Sequence, residues 1–299
     1  MAESTRTIRR RLKSIASTRK ITRAMELVSA AKMRRASEAA LATRPYALSA
    51  WSLLEHLTAT TERKLHPLLA HREVRKTAVV FLTTNRGLVG GLNAQLVRAV
   101  TRLADEGEVV YVTVGKRGQD ALRRLGKPIV ATFTDLPDRP TLASMVPVAR
   151  LTIDEFRSGA VDRVLVVYPD FVSTLLQVPR VKQLLPLDPD SIRRFLNETG
   201  GARERLTVQP EQLREFTFEP SPDALLEAML PRLVESQLYQ AFLETSASEH
   251  AARMVAMRNA TDAAGELSDA LTLMLNQTRQ AAITKDLTEI SASRAALEA

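Results

Sequence analysis

Apolar residues change their spacing twice along the chain, and the changes mark three regions. From Ser4 to Leu57 there is no glycine and one proline, Pro45, and apolar residues recur three and four apart, the spacing of a helix face. Ile8, Leu12 and Ile15 form one stripe; Ile21, Met25 and Val28 form another. At about 100° per residue the stripes do not line up, and the phase slips between Ser17 and Lys20. The segment predicts a long helix or a pair of helices. About 50 residues at about 1.5 Å each would reach roughly 75 Å, too long for an ordinary domain helix.

From about Arg75 to Glu219 β-branched runs alternate with helical spacing. TAVVFLTT (77–84), EVVYVTVG (108–115), PIVATFTDL and DRVLVVYPDF (162–171) look like strands. LNAQLVRAVTRLADEG, KRGQDALRRLG and TLASMVPVARLTIDEFRSGA look like helices between them. This alternation predicts an α/β class with a mostly parallel sheet covered by helices. VPRVKQLLPLDPD is punctuated by prolines, SIRRFLNETGGARER suggests a short helix and loop, and REFTFEP a last strand. Ser221 then suits a helix N-cap and Pro222 its first turn. From there to the C-terminus only Pro231 and Gly265 interrupt the helical pattern, and Pro231 predicts a kink or a division. Leu267, Leu271 and Met274, and again Ile283, Leu287 and Ile290, keep an i, i+4, i+7 spacing. A narrow apolar stripe holds a helix this long only with a partner. The two terminal helices are therefore expected to pack antiparallel as a long coiled coil. The phase slip argues against regular heptads.

Charge sharpens the picture at one end. The net charge is +8, and the first 44 residues hold twelve Lys or Arg against Glu3, Glu26 and Glu38. A basic helix is the footprint of an anionic partner. Arg6, Arg9, Arg10, Lys13 and Lys20 lie opposite Ile8, Leu12 and Ile15, so three readings stand: a solvated face, an acidic protein partner, or nucleic acid. No regular leucine zipper and no aromatic stacking set accompany the run.

Composition removes several chemistries. Without cysteine there are no disulfides, thiolate metal sites or thiol switches. His56, His66, His71 and His250 are scattered and lack a metal-binding spacing, so no metal is expected. The basic start has no apolar core behind it and is no secretory signal. No run approaches the roughly 20 apolar residues that span a bilayer, so the chain is expected to be soluble or peripheral. TTNRGLVGGLN sits where phosphate-binding loops occur, but its glycine spacing matches neither the P-loop nor the dinucleotide fingerprint. It is expected to be a tight strand-to-helix turn with Asn93 near the helix start. No acid–base pair or nucleophile–histidine set suggests catalysis in this chain.

KITRAMELVSAAKMRRA (20–36), NRGLVGGLN (85–93), VPRVKQLLPL (178–187), the long run from Phe218 to Glu266, and RQAAITKDLTEI (279–290) closely resemble the gamma subunit of the F-type ATP synthase, in the family's order and over essentially the whole chain. The resemblance implies an N-terminal coiled-coil helix in 1–74, a central Rossmann-like α/β foot in 75–219 and a C-terminal coiled-coil helix in 220–299. It implies a rotary shaft with no active site and no cofactor. Such a shaft stands inside a hexamer of alpha and beta subunits, with its foot on the c ring and the epsilon subunit. It couples ion-driven rotation to ATP synthesis and the reverse hydrolysis. The partners are proteins rather than nucleic acid, and membrane association is indirect, at the cytoplasmic face of a bacterial plasma membrane.

Residue by residue, the resemblance places Met25, Arg253, Gln280 and Thr284 in contact with a beta subunit. Arg9, Arg10, Lys20 and Arg23 would face acidic loops of the hexamer, and Phe216 and Phe218 the c ring. Val89 stands where the family often has cysteine, and the cysteine-bearing regulatory insertion of chloroplast members is absent.

Overall fold

The computed structural model describes residues 5–60, 66–103, 107–137, 141–187 and 221–297. The expected short helix and last strand between Ser191 and Pro220, with Phe216 and Phe218, lie outside the described residues. Two long helices stand first and last along the chain: α1 (Thr5–Thr60) at the N-terminus and α5 (Pro222–Leu297) at the C-terminus. Between them run β1 (Lys76–Leu82), α2 (Leu92–Leu103), β2 (Glu108–Val114), α3 (Lys116–Arg124), β3 (Ile129–Phe133), α4 (Leu142–Arg157), β4 (Arg163–Phe171) and β5 (Gln177–Leu185).

α1 is a single helix that passes through Pro45, and α5 passes through Pro231 without a break. Of the kink or division expected at Pro231, the division is therefore absent. An internal proline costs a helix about 3 kcal/mol. Around Pro231, Leu226, Leu230, Leu233, Val234 and Leu238 are all buried. Each such side chain contributes about 1.5–3 kcal/mol when removed from water, so packing outweighs the break.

The chain forms two compact units. One comprises Met1–Ala30 with Arg253–Ala299; the other comprises Ala31–Ala252. The second contains a five-stranded sheet of order β3-β2-β1-β4-β5, in which every neighbouring pair is parallel except the antiparallel β4–β5. Alternate residues of β1 face opposite cores, as the two-residue repeat of a strand requires. Ala78, Val80 and Leu82 pack with Met145, Val148 and Phe156 of α4 and Leu226 to Ala241 of α5. Val79 and Phe81 pack with Leu92, Leu96 and Val100 of α2 and Leu122 of α3.

The proline-punctuated run proves to be a strand, β5, as far as Leu185; its end, from Asp188, lies outside the described residues. The strand lies at the sheet edge, where a missing N–H breaks no ladder on the open side. Pro179 stands opposite Pro169, so neither proline asks the other for a hydrogen bond; this suits the non-bonded rungs of an antiparallel ladder.

The glycine-rich loop after β1 is the expected turn. Asn93 Nδ2 donates to Thr84 Oγ1 at 2.8 Å, and Thr84 Oγ1 donates to the Arg86 carbonyl at 2.7 Å. Asn85 Oδ1 accepts from Lys116 N at 2.9 Å. Thr84, Asn85 and Asn93 thus spend these polar groups on closing the loop and tying it to α3. Gly90 and Leu88 take left-handed φ angles of 56° and 64°.

Candidate functional site

In the smaller unit the two terminal helices lie antiparallel. Thr22 Oγ1 and Thr261 Oγ1 are 2.7 Å apart and buried, and the Arg19 guanidinium lies over Gly265, 3.5 Å from where a Cβ would sit. Rising numbers on one helix meet falling numbers on the other. On α1 the positions turned inward are Ile8, Leu12, Ile15, Thr22 and Ser29. On α5 they are Met257, Thr261, Ala264, Ser268, Leu271, Leu275 and Thr278, alternately four and three apart. Both series keep the seven-residue repeat of a coiled coil.

The expected slip of phase is therefore not present. Ile21 and Val28 are 57% and 56% exposed, and the seam runs instead through the buried Thr22 and Ser29. The apolar pattern misled because hydroxyl-bearing residues occupy the seam while apolar ones point away from it. The same holds on α5, where Leu271 is buried but Leu267 and Met274 are exposed. Thr22 and Thr261 each have a backbone outlet in their own helix: Thr22 Oγ1 reaches the Arg19 carbonyl at 3.1 Å and Thr261 Oγ1 the Met257 carbonyl at 2.8 Å. Two protons serve three contacts, so one hydroxyl donates across the seam and the other into backbone, and neither is stranded.

The register places the remaining residues. At about 1.5 Å per residue, Met25 lies about 5 Å and Arg253 about 12 Å from the Thr22–Thr261 level, both in the same direction. Gln280 and Thr284 lie about 29 and 35 Å away in the opposite direction, beyond the level of Thr5 at about 26 Å. The four residues thus form two belts rather than one site. Past Thr278, α5 has no described helix beside it, and every side chain from Arg279 to Arg294 whose burial is described is exposed, including Ile283, Leu287 and Ile290.

Met25 is half-buried and Gln280 and Thr284 are exposed, whereas Arg253 is only 8% exposed and is engaged within the chain. Arg9, Arg10, Lys20 and Arg23 are exposed. Arg23 pairs with Glu26 at 2.9 Å, an exposed i, i+3 pair that contributes a few tenths of a kcal/mol, about 0.2–0.5. The basic face is thus solvated in this chain, with charge available to an acidic partner. Among the described residues no cluster of His, Asp or Glu could hold a metal ion, and no helix is long and apolar enough to cross a membrane.

A family model described as ATP synthase matches residues 4–297. The ATP synthase gamma chain of Roseiflexus castenholzii is 45% identical over 301 aligned positions, covering 98% of each chain. That of Pelotomaculum thermopropionicum is 41% identical, covering 99% of each. The chain belongs to the ATP synthase gamma-chain family. Its fold is also that of a chain in the Euglena gracilis mitochondrial ATP synthase (OSCP/F1/c-ring), with a TM-score of 0.66 at 20% identity over 98% of this chain and 94% of that one. A chain of the Tetrahymena thermophila central stalk and c-ring gives a TM-score of 0.61 at 24% identity, over 80% of this chain and 99% of that one. The family's long coil and Rossmann-like sheet domain are the two features described above. The seam residues Thr22, Ser29, Thr261 and Ser268 were missed in the sequence; their seven-residue spacing was the signal, hidden by their polarity.

Proposed function

We propose that this chain is the central rotary shaft of an F-type ATP synthase, a noncatalytic subunit that couples rotation of a c ring to the conformational cycle of catalytic beta subunits. The observation that carries the reading is a two-helix coil whose buried Thr22–Thr261 pair is satisfied internally while Ile21, Leu27, Val28, Leu267, Leu273 and Met274 are exposed. Such a helix pair suits a surrounding protein sleeve, because its apolar residues outside the seam lack partners in the chain itself. A shaft biases a conformational equilibrium only through contacts that differ between the states it meets. Exposed side chains that differ around the coil supply such contacts.

Met25 and Arg253 form the belt that meets a beta subunit in this reading, and Gln280 and Thr284 a second belt higher on the same shaft. Arg9, Arg10, Lys20 and Arg23 face acidic loops of the alpha–beta hexamer. The foot meets the epsilon subunit and the c ring, with Phe216 and Phe218 at the ring. The complex sits at the cytoplasmic face of a bacterial plasma membrane, and this chain reaches the membrane through the ring.

Reconstitution with alpha and beta subunits tests the assignment. The expected product is a complex with ATPase activity and ATP-driven rotation of a bead fixed to this chain; a complex that hydrolyses ATP while the bead stays still overturns it. In the full membrane complex, Met25→Lys and Arg253→Gln should lower proton pumping per ATP hydrolysed several-fold while the subunits still co-purify. Pumping ratios equal to the parent's would remove both residues from the coupling belt.

A further inference from the structure

The β4–β5 hairpin outruns the rest of the sheet. β1 pairs with β4 only as far as Val167, whereas β4 and β5 stay paired out to Phe171 and Gln177. The arm ends in an exposed apolar tip, Val172, Leu175 and Leu176. A two-stranded ribbon is marginal by itself in water, so the arm depends on what one face of it touches. That neighbour is α5. Ser248 Oγ donates to the Pro169 carbonyl at 3.0 Å.

One turn earlier on α5, Glu244 is buried beside two groups from the arm. These are the Tyr168 hydroxyl of β4 and the Lys182 ammonium of β5, whose nitrogen is sealed from water although its stem is half-exposed. Gln240 Nε2 donates to Glu244 Oε1 at 2.9 Å, and Gln240 in turn accepts from Thr43 Oγ1 of α1. Asp170 of β4 and Arg180 of β5, which also act on Tyr168, pair with one another. A buried lysine and a buried glutamate thus meet where the arm lies on the helix.

We propose that Lys182, Glu244 and Tyr168 form a proton-responsive clasp that holds the β4–β5 arm onto α5 and loosens when Lys182 carries its charge. Taking an ammonium out of water costs more than one nearby carboxylate returns. Burial accordingly pulls Lys182 from its ordinary 10.5 down to about 7, with Glu244 offsetting part of the effect. Burial, then the Glu244 and Asp170 carboxylates, push the Tyr168 hydroxyl well above its usual range, so it keeps its proton and faces Glu244 as a donor throughout. An opened arm returns Lys182 to water, where it stays protonated to about pH 10.5; the closed arm holds that proton only below about 7. Between these limits the open form binds the extra proton, so closure tightens as pH rises and slackens as pH falls toward 7.

Hydrogen–deuterium exchange of the full chain, corrected for intrinsic amide chemistry, reads the opening directly. Between pH 7.5 and 9.5 protection across the arm should rise with pH, by up to about tenfold per unit, the limit for one proton. K182M should abolish the slope, and K182Q serves if K182M does not fold. E244Q removes the group that favours the charged lysine, so in profiles extended down to about pH 5.5 its slope should continue below the pH at which the parent's levels off. A slope that persists in both lysine variants, a flat profile in the parent chain, or an E244Q profile identical to the parent's would each overturn the clasp.

Discussion

Gly118 illustrates how tightly single residues are specified where β1 and β2 hand over to α3. A Cβ there would sit 2.7 Å from Thr83 Oγ1 and 2.9 Å from the Phe81 ring, and Gly118 N donates to that same hydroxyl at 2.8 Å. Gly118→Ala should therefore destabilise the chain by about 1–3 kcal/mol, the usual cost of overpacking, and urea unfolding should show a lower midpoint. An unchanged midpoint would mean that Thr83 moves aside freely. His66 makes a different kind of demand. Its Nδ1 accepts from Leu68 N at 3.2 Å, which leaves Nε2 to donate to Glu227 at 2.9 Å, and Glu227 also accepts from Arg157 at 2.6 Å. Burial lowers its pKa below the ordinary 6.5, with Glu227 opposing. The unfolded chain then takes the proton first, so this stability is complete above about pH 6.5 and is lost as pH falls through the folded value. Thermal midpoints measured from pH 7.5 down to 5 should fall less steeply for His66→Asn than for the parent chain. None of these pairings is visible in the sequence, because Gly118 and Thr83, or His66 and Glu227, meet only through the fold.

Elements were more legible than contacts. The strands and helices of the sheet domain follow from runs such as TAVVFLTT and from the glycine turns between them, since local propensity and burial favour the same state there. β5 was not legible, because proline argues against a strand until the edge position is known. The seam of the coil was legible in its spacing and disguised in its chemistry: Thr22, Ser29 and Thr261 do not look like core residues. The disguise has an energetic consequence that can be measured. A Thr22→Val, Thr261→Val pair replaces both partners of a buried hydrogen bond by groups of similar shape, a change that is nearly neutral or stabilising. A single Thr→Val leaves the other hydroxyl its backbone outlet, at Met257 or Arg19, so its cost should stay within about 1 kcal/mol. Thermal unfolding of the three variants should place the double variant at or above both single ones; a double variant well below them would mean that the hydroxyl pair is more than a satisfied polar contact.

At the scale of the whole molecule, Arg279 to Arg294 of α5 are the clearest case of described side chains that add nothing to the chain's buried core. Side chains from Arg279 to Arg294 are exposed, since α1 begins at a level that α5 has already passed. Removal of residues 281–299 should therefore shift the thermal midpoint of the isolated chain by no more than a degree or two, surface changes being usually within about 0.5 kcal/mol. Circular dichroism should show loss of helix in proportion to the residues removed. A large drop in midpoint would contradict the exposure of Ala281 to Arg294. Ile283, Leu287 and Ile290 are apolar without serving the fold, which fits a role in contact with another chain.

Helix length, the alternation of strand and helix and the concentration of positive charge at the N-terminus were all determined by the sequence, because each depends on neighbours within a few residues or on composition alone. The family, too, was readable in motifs spread from Lys20 to Ile290. The burial of Thr22 rather than Ile21, the sheltering of Arg253, the continuity of α5 through Pro231 and the meeting of Lys182 with Glu244 were decided only by tertiary structure. In each of these the deciding free energy comes from a second element, its groove, its hydrogen-bonding groups or its exclusion of water, and nothing in the local run of residues specifies where that element will lie.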